Sequence, residues 1–168
     1  MIAMKSLRSL VFILAILLVF AVSNFAIATD KFPVEPVEST TPGALCTSSP
    51  IRRYPENIIY CERDVNSQLK NQIIRMYDEK FGYSIRQMSR GDFKIDHFIP
   101  LSIGGSNSIE NLWPQHKSVY KITDELEGLL FTKISEGRIK QVEAIRVIRE
   151  AKHHLDQVPE LEDYVRGL

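Results

Sequence analysis

The chain has 168 residues, which is enough for one domain of ordinary size. Lysine and arginine together number 21, as do aspartate and glutamate, so the formal net charge is zero. This balance argues against a protein that coats nucleic acid with a broad basic face, although a local basic groove remains compatible with it.

The first 28 residues have the pattern of a secretory signal peptide. Lys5 and Arg8 form a short basic segment, an unbroken apolar run covers 10–22, and an Ala-Ile-Ala sequence at 26–28 is typical of a cleavage site. An uncleaved membrane anchor is the alternative, but the continuous run is shorter than the roughly 20 apolar residues of a membrane span. We therefore expect cleavage after residue 28.

The predicted mature chain, 29–168, has 168 − 28 = 140 residues. It keeps 21 − 2 = 19 basic side chains against 21 acidic ones, a net charge of about −2. We expect a periplasmic or extracellular protein that has no stable membrane association after cleavage. No feature of the chain indicates a particular oligomeric state.

A proline-rich arm is predicted over 29–57, where five prolines alternate with serine and threonine. We expect its early part to lack order and the chain to become ordered near Cys46. Cys46 and Cys61 are the two cysteines, and in an oxidising compartment we expect a disulfide rather than free thiols. Two cysteines cannot form a four-cysteine zinc site.

The remaining segment, 58–168, is predicted to form one α+β domain that is predominantly helical. Apolar residues at helical spacing predict a first helix, with Asp64 or Asn66 as its cap, which ends near Phe81 before Gly82. Alternation predicts a strand over 93–99, and 111–114 is a short extended piece. Two helices follow, over 119–135 and 140–155. We expect Val142 on the buried stripe of the second helix and Pro159 as its end.

The residues that carry chemistry lie between 95 and 116. Hydrolysis of a phosphodiester requires a water nucleophile, a base that deprotonates it, and positive charge on the phosphate. Asp96 can hold a divalent cation, and the adjacent His97 can take up a proton at neutral pH. Pro100 and a Gly-Gly pair at 104–105 would turn the chain back, and Asn111 can fasten the loop through its side chain.

This ordered set resembles the signature of the HNH endonucleases, and the Asn-Leu-Trp-Pro-Gln sequence at 111–115 is similar to a branch of small, often exported HNH proteins. The resemblance implies a small ββα-metal core packed with additional helices. It also implies an endonuclease that cuts DNA, in preference to RNA, with little sequence specificity. One divalent ion is implied as cofactor, Mg²⁺ first, with Mn²⁺ or Zn²⁺ as alternatives.

By the same resemblance, Asp96 is a metal ligand, His97 is the general base and Asn111 is the central asparagine of the motif, counted with the catalytic residues. A third polar ligand is expected on or near the following helix. We favour His116 as that ligand, and the other candidates are Lys121, Thr123 and Asp124.

Basic side chains flank the motif and are candidates for contacts with nucleic-acid phosphates. They are Arg86, Arg90, Lys94, Lys117 and Lys121. Two other classes of function remain open. One is a catalytically silent binding module for nucleic acid or protein, in which the same residues hold a structural ion or a loop. The other is a membrane-anchored interaction protein whose proline-rich arm is a spacer.

Overall fold

An antiparallel hairpin that runs directly into a long helix forms the centre of the structure, a computed structural model that describes residues 31–168. The predicted signal peptide lies outside these residues. Four α-helices and two small sheets form within the described part, so the α+β prediction is confirmed. In chain order the elements are β1 (Arg52–Arg53), β2 (Ile58–Ile59), α1 (Ser67–Phe81), β3 (Phe93–His97), β4 (Leu112–His116), α2 (Lys117–Ser135), α3 (Gln141–His153) and α4 (Val158–Gly167).

Helix α1 begins and ends where local sequence signals place it. The side chain of Asn66 accepts a hydrogen bond from the Leu69 amide at 2.9 Å, which satisfies one free N–H of the first turn. Gly82 ends the helix with a positive φ of 74°. Ile73 and Tyr77 are fully buried against the hairpin, so the predicted helix is confirmed.

Strand β3 pairs with β4 in an antiparallel register that places Asp96 opposite Trp113 and His97 opposite Leu112. The strand is shorter than the predicted 93–99, because the chain turns towards Pro100 after His97. Strand β4 passes without a loop into α2, which packs against it. The order of these three elements is strand, strand, helix.

Two corrections concern the last 30 residues. Pro159 does not end a helix but lies in the first turn of α4, where its missing N–H leaves no hydrogen bond unmade. Helix α4 was not predicted, and it buries Val158 and Val165 in the core formed with α2 and α3. Val142, expected on the buried stripe of α3, is 76% exposed, because Ala144, Val147, Ile148 and Ala151 form the buried face instead.

The proline-rich arm is packed on the domain from residue 31 onward. The expectation that its early part lacks order is therefore wrong for these residues. Thr41 is fully buried, and its hydroxyl lies 2.7 Å from the Tyr77 hydroxyl. The predicted disulfide between Cys46 and Cys61 is present, with 5.7 Å between the Cα atoms. Among residues 31–168, no helix combines the length and the apolar character that crossing a membrane requires.

The turn between β3 and β4 depends on a position that has no room for a side chain. A Cβ atom on Gly105 would lie 1.8 Å from the carbonyl oxygen of Ile99. The Gly105 amide donates a hydrogen bond to the Pro100 carbonyl at 3.0 Å. Moving the backbone of Gly105 away from Ile99 would break this hydrogen bond. The close approach of two backbone segments explains why a glycine stands here.

We predict that Gly105→Ala lowers the free energy of unfolding by at least about 3 kcal/mol, because the backbone of the turn must shift. Gly128→Ala is the matched control, since Gly128 lies in α2 with nothing within 4 Å of an added Cβ. The control should raise stability by about 0.5–1 kcal/mol through helix propensity. Urea unfolding of both variants measures the difference, and a Gly105→Ala protein as stable as the wild type would contradict the packing described.

Candidate metal centre

Three carboxylates from two elements meet beside the hairpin. Asp96 comes from β3, and Asp124 and Glu127 stand three residues apart on α2, so they share one face of that helix. One ligand atom from each of the three lies within 4.8 Å of the others, and together these residues could hold a metal ion. The direct passage from β4 into α2 brings the helix face over Asp96.

Two lysines offset part of this negative charge. The Lys94 ammonium lies 2.8 Å from Asp96 Oδ2 and 3.1 Å from Asp124 Oδ1. Lys152, from α3, is fully buried, and its ammonium lies 2.7 Å from Glu127 Oε1. It also donates to the backbone carbonyl of His97 at 2.7 Å. The three carboxylates are therefore held together by cations from both sides.

The pKa values of the carboxylates shift in opposite directions. Burial acts to raise the pKa of Asp96, but the hydrogen bond from His97 and the charges of Lys152 and Lys94 outweigh it, so the pKa lies well below its usual range. Burial raises the pKa of Glu127 in spite of the nearby Lys152, and the negative charge of Asp96 raises it further. Asp96 therefore loses its proton more readily than an exposed aspartate, while Glu127 holds its proton more tightly than an exposed glutamate.

The donor set fits a hard divalent cation. All three side chains offer carboxylate oxygens, the ligands that Mg²⁺, Mn²⁺ and Ca²⁺ prefer. The cluster has neither the imidazole nor the thiolate ligands that are common at zinc sites. A cation that used the oxygens of Asp96 and Asp124 would replace the Lys94 ammonium, whose side chain is 39% exposed and has solvent into which to move.

His97 lies beside this cluster and is held at both ring nitrogens. Its Nδ1 is 3.2 Å from Arg63 Nη1, and its Nε2 is 3.1 Å from Asn107 Oδ1. Because a guanidinium group only donates, Nδ1 must be the acceptor and the proton of the neutral ring must be on Nε2. Asn107 is oriented in turn by its amide nitrogen, which donates to the Glu62 carbonyl at 2.7 Å.

The hydrogen-bond partners of His97 therefore leave the lone pair of the ring on Nδ1. This nitrogen lies 3.7 Å from Asp96 Oδ1, so the basic atom of the ring is on the side of the carboxylates. The ring itself is only 3% exposed, which leaves little freedom for it to turn. The structure thus brings the predicted pair Asp96 and His97 together, although neighbouring strand residues point to opposite faces.

Asn111 fastens the turn between the strands. Its side chain is fully buried, and its amide nitrogen donates to the carbonyls of Ile99 and Ser106, both at 2.9 Å. Its Oδ1 accepts from the Ile99 amide at 2.8 Å. These bonds to the backbone fit a positioning role and leave no polar atom of Asn111 exposed for the catalytic role expected from the motif.

His116, the favoured third ligand, is not part of the carboxylate cluster. It is the last residue of β4 and the N-cap of α2, where its Nδ1 accepts from the Ser118 amide at 3.2 Å and its ring stacks on Phe32 with 3.7 Å between centroids. Burial lowers its pKa, although Asp92 acts in the opposite direction. Asp124, one of the other candidates, occupies the place beside Asp96.

Glu127 was missed by the sequence reasoning. Two acids three residues apart on a helix look like an ordinary solvated face. The available signal was the 124–127 spacing itself, which places both carboxylates on one side of the helix that follows the motif.

The predicted nucleic-acid contacts lie in different surroundings. Arg86 and Arg90 are exposed and line one surface cavity. Lys94 belongs to the carboxylate cluster, and Lys117 forms an ion pair with Asp92 at 2.7 Å. Lys121 is exposed on α2.

Comparison of the chain with protein-family models, with curated proteins and with solved structures gives no match. What can be inferred about function therefore depends on the motif and on the geometry of the site.

We predict that Lys152→Met lowers the free energy of unfolding by about 3–5 kcal/mol at neutral pH, because Glu127 is left without its buried cation. The raised folded-state pKa of Glu127 sets the pH dependence of this loss. Protonation of Glu127 makes the loss smallest below pH 4.5, its ordinary pKa, and the loss grows as the pH rises through the raised value.

Urea unfolding of wild type, Lys152→Met and Lys152→Met/Glu127→Gln at several pH values measures this effect. The double variant should recover part of the stability at neutral pH, because it removes the unpaired charge. A loss in Lys152→Met that does not change with pH would show that Glu127 and Lys152 do not interact as described.

Proposed function

We propose that the chain is a metal-dependent endonuclease of the HNH (ββα-metal) type, which hydrolyses phosphodiester bonds in DNA, or in RNA as a second substrate. The observation that carries the proposal is the placement of Asp96 and His97 at the end of β3, beside two further carboxylates on α2. A cation ligand and a base with a defined lone pair therefore lie 3.7 Å apart, as hydrolysis of a phosphodiester requires.

The order of elements supports the same family. Strands β3 and β4 form an antiparallel hairpin, and α2 follows at once and supplies Asp124 and Glu127 to the site. This strand–strand–helix order is compatible with the ββα arrangement that the motif implies. Asn111 and Gly105 hold the turn between the strands, so the motif residues around Asp96 have defined structural tasks.

Asp96, Asp124 and Glu127 would hold the cation, with Mg²⁺ as the first choice and Mn²⁺ as an alternative. The oxygen-only cluster makes Zn²⁺ the least suitable of the three. When bound, the cation supplies positive charge to the phosphate and to the leaving oxygen.

His97 is the proposed general base. Its Nδ1 accepts a proton from water, and the imidazolium that results is stabilised by Asp96 at 3.7 Å. Asn107 keeps the other ring proton on Nε2, so Nδ1 is the nitrogen that carries out this step.

Arg63 is the proposed phosphate contact at the site. At rest its guanidinium lies 3.2 Å from His97 Nδ1 and 3.7 Å from Asp96 Oδ1, and its side chain is 49% exposed. A phosphate oxygen is a stronger acceptor for a guanidinium than an imidazole nitrogen. The substrate would thus draw Arg63 away from Nδ1 and free the base.

The proposal includes export. The N-terminal pattern predicts a cleaved signal peptide, and the Cys46–Cys61 disulfide is typical of oxidising compartments. No element among residues 31–168 is identified as a reader of base edges, which fits cleavage with little sequence specificity.

The decisive assay uses supercoiled plasmid incubated with the purified, oxidised protein and Mg²⁺, Mn²⁺ or Zn²⁺, with EDTA in a parallel reaction. We predict metal-dependent nicking that EDTA abolishes. His97→Ala should reduce the rate by at least about 100-fold, since a general base contributes roughly 10²–10⁴-fold. Asp124→Asn should raise the Mg²⁺ concentration needed for half-maximal rate.

His154→Ala is the matched control, because His154 is a half-exposed histidine outside the site and its loss should leave the rate unchanged. Melting temperatures of all variants check that they fold, and His97→Gln provides a second, less disruptive substitution. Full activity in folded His97→Ala and His97→Gln would contradict the assigned base.

A silent scaffold is the second candidate, and one observation favours it. The Lys94 ammonium pairs with both Asp96 and Asp124, at 2.8 and 3.1 Å, as an internal substitute for a cation would. In that case folded wild-type protein would cleave neither plasmid nor RNA with any of the three metals. Cleavage by the wild type excludes this candidate.

A further inference from the structure

A second charged feature lies outside the carboxylate cluster. A surface cavity of about 300 Å³ forms where α1, the segment after it and the start of β3 meet. Arg75 lines it from α1, and Arg86 and Arg90 line it from the connection to β3. We call this cavity the arginine pocket.

Within residues 31–168, no carboxylate lies within 4.0 Å of the guanidinium group of Arg75, Arg86 or Arg90, and all three residues are exposed. The Asp78 carboxylate is near Arg86 but accepts from its backbone amide, at 3.1 Å. By contrast, Arg146 and Arg166 each form ion pairs with neighbouring acids. Three like charges around one cavity repel one another, so the pocket is complementary to an anion.

The shape and chemistry of the pocket favour a phosphate group. Guanidinium groups bind phosphate oxygens through paired N–H donors, and Asn71 adds a side-chain amide to the same wall. Ile74 and Phe93 add apolar surface to the same cavity.

The pocket and the proposed active site share strand β3. Phe93, which lines the pocket, stands three residues before Asp96 on β3, or about 10 Å along the strand. Strand β3 belongs to a two-stranded sheet, and on its outer edge the carbonyls of Ile95 and His97 accept from the side chains of Arg63 and Lys152. Three base steps of a nucleic-acid strand span a similar distance, since each rises about 3.4 Å.

We infer that the arginine pocket binds a backbone phosphate of the nucleic-acid substrate, a few nucleotides from the bond that is cut. The inference rests on the proposed nuclease function for its ligand. Sequence alone proposed Arg86 and Arg90 as separate phosphate contacts. The fold adds Arg75 and Asn71 and makes the four side chains one site.

The test is DNA binding by the purified protein in EDTA, where cleavage cannot occur. Fluorescence anisotropy compares wild type with Arg75→Gln/Arg86→Gln/Arg90→Gln on an oligonucleotide that has hydroxyl groups at both ends. We expect the triple variant to bind about tenfold more weakly or worse near 0.1 M salt. Its slope of log affinity against log salt should fall by about 2–3.

Arg138→Gln is the matched control, since Arg138 is an exposed arginine outside the pocket and its side chain has no acidic partner within residues 31–168. It should leave the affinity within about twofold of wild type, as expected when no phosphate contact is lost. A triple variant that binds with the same affinity and salt slope as wild type and Arg138→Gln would overturn the inference. Absence of measurable binding by the wild type would overturn it as well.

A second oligonucleotide with a 5′-phosphate distinguishes two sources of the ligand. An equal loss on both oligonucleotides supports a backbone phosphodiester, whereas a loss confined to the 5′-phosphorylated one overturns the backbone assignment. Cleavage is measured separately with Mg²⁺. If the wild type cleaves DNA and the triple variant binds it as well as the wild type does, the pocket proposal alone is rejected. If the triple variant binds more weakly but the wild type does not cleave, only the nuclease proposal is rejected.

Discussion

The rest of the site depends on the contacts that the buried ammonium group of Lys152 makes. It reaches from α3 to the carbonyl of His97 at the end of β3 and to Glu127 on α2, so one charge joins three elements. A buried ammonium group without an anion is destabilising, and so is a cluster of buried carboxylates without a cation. The same charge lowers the pKa of Asp96. Folding of the helical part and assembly of the site are therefore coupled.

Two further cations, which are more exposed than Lys152, also lie at the site. Lys94 lies against Asp96 and Asp124, and Arg63 lies against His97 Nδ1. Each covers a group that the proposed chemistry needs, and each has solvent into which it can move. In the proposed function, a divalent cation and a phosphate replace the two side chains. Lys152, which is fully buried, stays in place throughout.

Local signals in the sequence predicted local structure well. The cap at Asn66 and the stop at Gly82 set the bounds of α1 because each acts through its own backbone neighbours. The prediction that Pro159 ends a helix was wrong because proline can also occupy the first turn of a helix. The role of Glu127 depends on how α2 lies over β3, which spacing along the chain does not encode. His116 was favoured for its nearness in sequence to the motif, but it caps α2 and stacks on Phe32 instead.

The central claim is that Asp96, Asp124 and Glu127 form a cation site from which Lys94 can be displaced. Anomalous diffraction from crystals soaked in Mn²⁺ tests it directly. We predict one strong peak within coordination distance of all three carboxylates, with the Lys94 side chain turned away from them. Lys94 still paired with Asp96 and no peak among the carboxylates at saturating Mn²⁺, or a peak at His116 instead, would contradict it.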